Sequence, residues 1–204
     1  KEIIRAAKES GADCIKIQTY TPDTITIDCT NEYFMIEKGT WEGENLYSLY
    51  GKAYTPLEWQ EELYAEAKRV GIDFFSTPFD NTAVDFLIDL DNPIMKIASF
   101  EITDVNLIRY AASKGKPMVI STGVATLEDI ELAIKVCHEV DNYDITLLHC
   151  VSAYPAPLEN VNLRTMVDMR KRFGVKVGLS DHTMGADVAL AAVALGAEMV
   201  EKHF

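Results

Sequence analysis

The chain alternates between short apolar runs and amphipathic segments, a pattern that predicts a strand followed by a helix seven times over. The apolar runs are continuous, which is typical of strands buried on both faces of a parallel sheet covered by helices. The predicted strands lie at residues 12–18, 72–75, 94–99, 118–120, 145–148, 175–182 and 198–204. A (β/α)8 TIM barrel of the α/β class, which typically takes about 250 residues, accounts for this repeat best.

The two ends of the chain interrupt this repeat. The sequence begins in an amphipathic helix that stops at Gly11, and it ends on the last predicted strand. We therefore expect residues 1–204 to be a partial barrel domain that lacks its first strand and its last helix.

Capping residues predict where several helices begin. The run Thr55-Pro56-Leu57-Glu58 predicts a capping box at Thr55 with proline at the first helical position. Asp80 and Thr126 are predicted N-caps of two later helices.

Residues 21–55 lack this regular pattern and contain Pro22, Gly39, Gly43, Gly51 and many aromatic side chains. A connection longer than roughly fifteen residues is usually a lid, a binding loop or disordered, and the aromatic content argues against disorder. The alternative is an ordinary packed excursion with its own small cluster.

Composition narrows the possible functions. With 48% hydrophobic and 25% charged residues, the chain can bury a full core as one large domain. The formal net charge of −13 disfavours nonspecific nucleic-acid binding, and no apolar run approaches the roughly 18 residues that span a bilayer. The cysteines show no paired short spacing, which argues against a disulfide framework. We therefore expect a cytoplasmic protein that binds neither nucleic acid nor membrane.

Two histidines follow the last two predicted strands. Because a strand–helix–strand crossover returns the second strand parallel to the first, His182 and His203 should lie near each other at one sheet edge. Such a pair predicts a divalent-metal site with room for substrate oxygen. The alternative is two polar residues at solvated strand ends.

Nearly every other predicted strand also ends in polar side chains. These are Lys16 and Gln18, Ser76 and Thr77, Lys96 and Ser99, Ser121 and Thr122, His149, and Ser180. Hydroxyls and two lysines predict a cradle for phosphate and carboxylate groups. Lys96 and Ser99 have opposite parity, so both face inward only if the strand turns or bulges before Ser99. A rival interpretation is a Schiff-base aldolase that uses Lys16 or Lys96 and needs no metal.

At this point the chain resembles a known family. Eight motifs in order resemble the barrel domain of the sialic acid synthase (N-acetylneuraminate synthase-like) family: Lys16-Ile17-Gln18-Thr19, Ser76-Thr77-Pro78-Phe79-Asp80, Lys96-Ile97-Ala98-Ser99-Phe100-Glu101-Ile102, Ile120-Ser121-Thr122-Gly123, Leu148-His149-Cys150, Tyr154-Pro155-Ala156-Pro157, Gly178-Leu179-Ser180-Asp181-His182-Thr183 and Glu201-Lys202-His203-Phe204. Within the family, residues 20–28 and 41–59 look most like the pseudaminic acid synthase subgroup.

The resemblance implies an enzyme that condenses phosphoenolpyruvate with a 2,4-diacetamido-2,4,6-trideoxyhexose to give a nonulosonic acid and phosphate. It implies that His182 and His203 hold Mn²⁺ or Mg²⁺, that Glu101 acts beside the reacting centre, and that Gln18 and Tyr154 contact the sugar. It assigns phosphoenolpyruvate to Lys16, Thr77, Lys96, Ser99, Ser121, Ser152 and Ser180. Many members have asparagine where this chain has Ser152 or Ala153, so the contact at Ser152 departs from the family pattern.

The resemblance further implies a homodimer with a C-terminal antifreeze-like domain outside residues 1–204. Within the family, the alternatives are an N-acetylneuraminate or legionaminate synthase. Outside it, besides the aldolase, the alternative is a barrel that binds an anionic sugar without catalysis.

Overall fold

A computed structural model describes residues 1–38 and 41–204 of the chain. These residues form two compact units, Lys1–Asn92 and Pro93–Phe204. Gly39, named above as part of the irregular segment, lies outside the described residues.

The first unit has two parallel strands flanked by helices. Its elements are α1 (Glu2–Glu9), β1 (Cys14–Thr19), α2 (Pro22–Ile25), α3 (Leu46–Ala53), α4 (Leu57–Val70), β2 (Asp73–Pro78) and α5 (Asn81–Asp89). β1 pairs with β2 in the register Lys16↔Phe75 and Gln18↔Thr77. One core cluster joins α1, α4 and the β1–β2 sheet, because their apolar faces meet around Ile4, Ala67 and Phe74.

The irregular segment is more ordered than its sequence pattern indicates. It contains α2, α3, a 3-10 turn at Glu32–Phe34 and an isolated bridge between Met35 and Asn45. The Tyr20 ring makes edge contacts with Tyr50 and Phe79, each at 5.6 Å between centroids. The segment therefore packs the Tyr50 ring against an aromatic residue outside it. Its role as a lid and the packed-excursion alternative both stay predictions.

The second unit is a five-stranded parallel sheet with the order β3-β4-β5-β6-β7. Its elements are β3 (Met95–Ile97), α6 (Val105–Ala112), β4 (Met118–Ser121), α7 (Leu127–His138), β5 (Ile145–Cys150), α8 (Arg164–Phe173), β6 (Lys176–Asp181), α9 (Asp187–Ala194) and β7 (Val200–Lys202). Every residue of β3, β4 and β5 is buried, as expected of strands covered on both faces. The predicted α/β class with parallel strands is confirmed.

Two of the three predicted caps are confirmed. The Asp80 carboxylate accepts from the backbone N–H groups of Thr82 and Ala83, and Thr126 forms a full capping box with Asp129. The capping box predicted at Thr55 is wrong. The helix begins at Leu57 with Pro56 at the N-cap, and no side chain caps it. Pro56 is extended, with φ −53° and ψ 135°, so Thr55 lies one residue too far from the first turn.

Among residues 1–38 and 41–204, no helix is both long and apolar enough to cross a membrane.

Candidate active site

The carboxyl ends of the second unit's strands bring together most of the predicted site residues. In a parallel sheet all strands finish at the same edge, so side chains at their ends become neighbours. Contacts within hydrogen-bond or ring-stacking distance form two groups. One centres on Lys96 and the other on His182.

The Lys96 group joins strands β3, β4, β6 and β7. The Lys96 side chain is 2% exposed, and its Nζ donates to Ser121 Oγ at 2.8 Å and to the Ile97 carbonyl at 2.9 Å. Glu201 Oε2 lies 4.0 Å from the same ammonium, and Glu201 Oε1 accepts from Ser180 Oγ at 3.0 Å. Two hydrogen-bond acceptors and the nearby Glu201 carboxylate thus hold the ammonium in place at the end of the sheet.

Ser99 and Ser152 meet at Gly123. The strand ends at Ile97 and a 3-10 turn begins at Ser99, so the turn required by the parity of Lys96 and Ser99 is present. The Ser99 Oγ accepts from the Gly123 N–H at 3.1 Å. A Cβ on Gly123 would collide with Ser152 Oγ and lie 2.9 Å from Ser99 Oγ. Only glycine therefore leaves both hydroxyls and the backbone close together.

His182, His203 and Tyr154 form a ring cluster beyond β6 and β7. The imidazole centroids lie 5.2 Å apart, and the Tyr154 ring lies 4.1 Å from His182 and 5.4 Å from His203. His182 Nδ1 lies 2.8 Å from the Val151 carbonyl, which can only accept a hydrogen bond. Nδ1 therefore carries the proton, and neutral His182 keeps its lone pair on Nε2.

This tautomer fits a metal ligand, because ligating histidines commonly donate their other ring N–H to a backbone carbonyl. Within the described ranges, no group of three or more His, Cys, Asp and Glu side chains could hold a metal. A metal at the histidine pair would consequently take its remaining ligands from water and substrate oxygen.

Glu101 lies in the 3-10 turn that carries Ser99. Its Oε2 is buried and has no hydrogen-bond partner among the described residues. Burial raises the pKa of the Glu101 carboxyl, and the Lys96 charge offsets this only in part. A carboxyl with a raised pKa can take up or release a proton closer to neutral pH.

Lys16, Gln18 and Thr77 belong to the first unit. They share one face of the β1–β2 pair because side chains alternate along each strand and Gln18 lies opposite Thr77. Thr77 is fully buried, and no described residue bonds to its Oγ1. Ser76 faces the other way, where its Oγ lies 2.6 Å from Thr19 Oγ1.

His149 belongs to neither group, so its inclusion among the strand-end site candidates is wrong. Its imidazole is buried, and Nε2 lies 2.7 Å from the Val161 carbonyl. Side chains alternate along a strand, so His149 and its neighbour Cys150 face opposite ways. Cys150 is the one that faces the site residues, because its Sγ lies 3.9 Å from Ser152 Oγ and 3.8 Å from His182 Nδ1.

The position of His149 predicts acid sensitivity. Burial lowers the pKa of its imidazole below the ordinary 6.5 and outweighs the hydrogen bond to Val161, which raises it. The unfolded chain therefore binds this proton more readily, and stability is lost as the pH falls through the unfolded pKa towards the folded one. In the full-length protein we expect the free energy of unfolding to fall as the pH drops below about 6.5, the ordinary pKa of histidine. Denaturant titrations should show a shallower fall in His149→Gln, and an equal fall would contradict this role.

Glu201 and Gly123 contact predicted site residues but were not themselves predicted from the sequence. Glu201 and His203 are two residues apart in and after the last strand, so parity alone puts them on one face. Gly123 follows Ser121 at a strand end, but its close contact with Ser152 depends on a neighbouring loop that the sequence pattern does not position.

Comparisons with known proteins place the chain in a family. The profile of the NeuB family matches residues 3–204. A pseudaminic acid synthase of Helicobacter pylori is 50% identical over 204 residues, which are 100% of this chain and 60% of that protein. An N,N'-diacetyllegionaminic acid synthase of Legionella pneumophila is 40% identical over 210 residues, covering 100% of this chain and 58% of that protein.

A similar solved structure is that of an N-acetylneuraminic acid (sialic acid) synthetase from Leptospira borgpetersenii in complex with citrate. It superposes with a TM-score of 0.86 at 31% identity, covering 100% of this chain and 66% of that one. The chain spans about three fifths of the length of the curated relatives it matches.

Proposed function

Because this chain belongs to the NeuB family, we propose that the protein containing it condenses phosphoenolpyruvate with a 2,4-diacetamido-2,4,6-trideoxyhexose. The products are pseudaminic acid and inorganic phosphate. The observation that carries the proposal is the histidine pair His182 and His203 beside hydroxyl groups and the Lys96 ammonium at one sheet edge. The 50% identical relative, named a pseudaminic acid synthase, supports this sugar over the legionaminic alternative at 40%.

Lys96, Ser121 and Ser180 would bind the anionic groups of phosphoenolpyruvate. The buried ammonium supplies a fixed positive charge, and the Ser121 hydroxyl that accepts from it can donate to a phosphate or carboxylate oxygen. The Ser180 hydroxyl donates to Glu201 and would have to exchange that bond to donate to the substrate. Ser99, Ser152 and the Gly123 backbone form a second polar group for the same substrate. The assignments of Lys16 and Thr77 to phosphoenolpyruvate and of Gln18 to the sugar rest on their motifs.

His182 and His203 would hold Mn²⁺ or Mg²⁺, with the Val151 carbonyl fixing the tautomer of His182. When bound, the metal supplies Lewis-acid polarisation of the sugar aldehyde. Tyr154, stacked on His182, would contact the sugar through its exposed ring.

The proposed condensation forms one carbon–carbon bond and breaks one carbon–oxygen bond. C3 of phosphoenolpyruvate forms a bond with the aldehyde carbon, and the aldehyde oxygen gains a proton to become a hydroxyl. Water adds to C2, and phosphate leaves with the bridging oxygen. Lys96 offsets the negative charge on the enol phosphate. The Glu101 carboxylate takes up the proton that the added water releases, which balances the proton gained by the aldehyde oxygen.

A Schiff-base aldolase would require a neutral lysine amine. Lys96 Nζ already donates to Ser121 and the Ile97 carbonyl and lies 4.0 Å from Glu201, which favours anion binding over imine formation. Borohydride treatment in the presence of substrate separates the two mechanisms. We expect no covalent adduct at Lys16 or Lys96.

The (β/α)8 barrel, the C-terminal antifreeze-like domain and the homodimer belong to this proposal. The parallel strand pairing within each unit supports the first of these.

The test is an assay of the purified full-length protein with phosphoenolpyruvate, Mn²⁺ and a panel of sugars. The panel contains stereoisomers of 2,4-diacetamido-2,4,6-trideoxyhexose and hexoses with a single acetamido group. We expect phosphate release and a nonulosonic acid with one diacetamido stereoisomer. Turnover only with the single-acetamido sugars would support an N-acetylneuraminate synthase instead. No turnover with any sugar would support a barrel that binds an anionic sugar without catalysis.

A further inference from the structure

We propose that Asp181 and Lys202 form a clamp that sets the spacing of His182 and His203. This inference rests on the proposed function, because it concerns the metal site assigned there. Asp181 directly precedes His182, and Lys202 directly precedes His203. The clamp would make them positioning residues for a divalent cation that neither side chain touches.

Asp181 first fixes the turn that carries His182. Its Oδ1 accepts from the Thr183 N–H at 2.9 Å and from Thr183 Oγ1 at 2.7 Å. Both bonds join the residue before His182 to the residue after it, and they fix the turn that carries the histidine. The Asp181 side chain is 1% exposed, and water therefore competes little for these bonds.

Lys202 then ties this turn to the neighbouring strand. Its Nζ donates to Asp181 Oδ2 and to the Thr183 carbonyl, each at 2.7 Å. Asp181 and Lys202 are also direct partners in the register of β6 and β7. The Lys202 ammonium thus binds the residues on both sides of His182, while Lys202 itself is the residue before His203.

The clamp and the histidines lie on opposite faces. Side chains alternate along a strand, so Asp181 and Lys202 project away from the face shared by His182 and His203. The imidazole centroids stand 5.2 Å apart. Two protein ligands hold a metal well only if their separation is fixed, because the remaining ligands exchange with solvent or substrate.

The experiment measures Mn²⁺ affinity of the metal-free full-length protein by following free Mn²⁺ with electron paramagnetic resonance. We expect Lys202→Met to weaken binding by about 10–100-fold, the range found for residues that orient metal ligands. Lys202→Arg keeps two donors for Asp181 and the Thr183 carbonyl and should stay within a few-fold of the parent.

The matched control breaks another lysine–aspartate pair on the same strand. Lys176 Nζ lies 2.8 Å from Asp144 Oδ1 at the opposite end of β6. Lys176→Met should leave Mn²⁺ affinity unchanged. Thermal unfolding of every variant without metal shows whether an affinity loss follows from loss of fold. If Lys202→Met does not fold, Lys202→Gln serves in its place because the amide retains a donor.

The outcomes separate the clamp from the proposed function. Parental Mn²⁺ affinity in folded Lys202→Met, or an equal loss in Lys176→Met, overturns the clamp and leaves the metal site standing. If the parent itself does not bind Mn²⁺, the metal site and the clamp fail together. Weakened binding in Lys202→Met, rescue in Lys202→Arg and no change in Lys176→Met support the clamp.

Discussion

Full-length protein carrying His182→Ala or His203→Ala is expected to lose more than about 100-fold in Mn²⁺ affinity and nearly all turnover. Each change removes one of only two nitrogen ligands, so the site keeps too few protein donors to hold the ion. The free energy of unfolding should change by less than about 1 kcal/mol, because His182 is half-buried and His203 is exposed.

His138→Ala is the matched control for this loss. His138 is an exposed histidine whose ring lies 4.8 Å from that of Tyr143, much as His182 lies beside Tyr154. It should bind Mn²⁺ and turn over like the parent. Calorimetric titration of Mn²⁺ decides the matter, and parental affinity in either His182→Ala or His203→Ala would refute the two-histidine site.

Lys96→Met is expected to raise the Michaelis constant for phosphoenolpyruvate by about 10–100-fold while that for the sugar changes little. The variant removes a buried ammonium whose charge-assisted hydrogen bonds are each worth about 1.5–3 kcal/mol, and 1.4 kcal/mol corresponds to about tenfold in binding. Steady-state kinetics with each substrate varied in turn measures the split. A larger change in the constant for the sugar would remove Lys96 from phosphoenolpyruvate binding.

The structure also changes the stability expected of Lys96→Met. The sequence alone predicts that removing an inward-facing ammonium raises the free energy of unfolding, because the desolvation cost of the charge disappears. The observed contacts instead predict a loss of about 1–3 kcal/mol, because Lys96→Met removes the hydrogen bond to Ser121 and the positive charge 4.0 Å from the Glu201 carboxylate. Adding Glu201→Gln should recover part of that loss. The control is Lys135→Met, at a lysine side chain on α7 that is 71% exposed. It should change neither the Michaelis constant for phosphoenolpyruvate nor the free energy of unfolding.

The strands could be predicted because continuous apolar runs leave few alternatives to buried parallel strands. Because parallel strands end at one edge, the polar strand ends alone predict that Lys96, Ser121, Ser180, His182 and His203 share that edge. α3 was not predicted because Leu46–Ala53 is short and contains Gly51, which gives no strong helical period.

Contacts that depend on the backbone or on strand register could not be predicted. The Val151 carbonyl that sets the tautomer of His182 has no side-chain signature. The bond between Ser180 and Glu201 follows from their register across β6 and β7, which the sequence does not give. His149 looked like a strand-end site residue because residue type alone does not show which face a side chain occupies.

The central claim is that the protein joins phosphoenolpyruvate to a sugar with loss of phosphate by carbon–oxygen cleavage. Phosphoenolpyruvate labelled with heavy oxygen at the bridging position tests it directly, when the full-length protein turns it over with the diacetamido sugar. The account predicts that the label appears in inorganic phosphate, read from the isotope shift in phosphorus NMR. Label retained in the organic product would mean attack at phosphorus, and it would contradict the roles given to Lys96, Glu101 and the histidine pair.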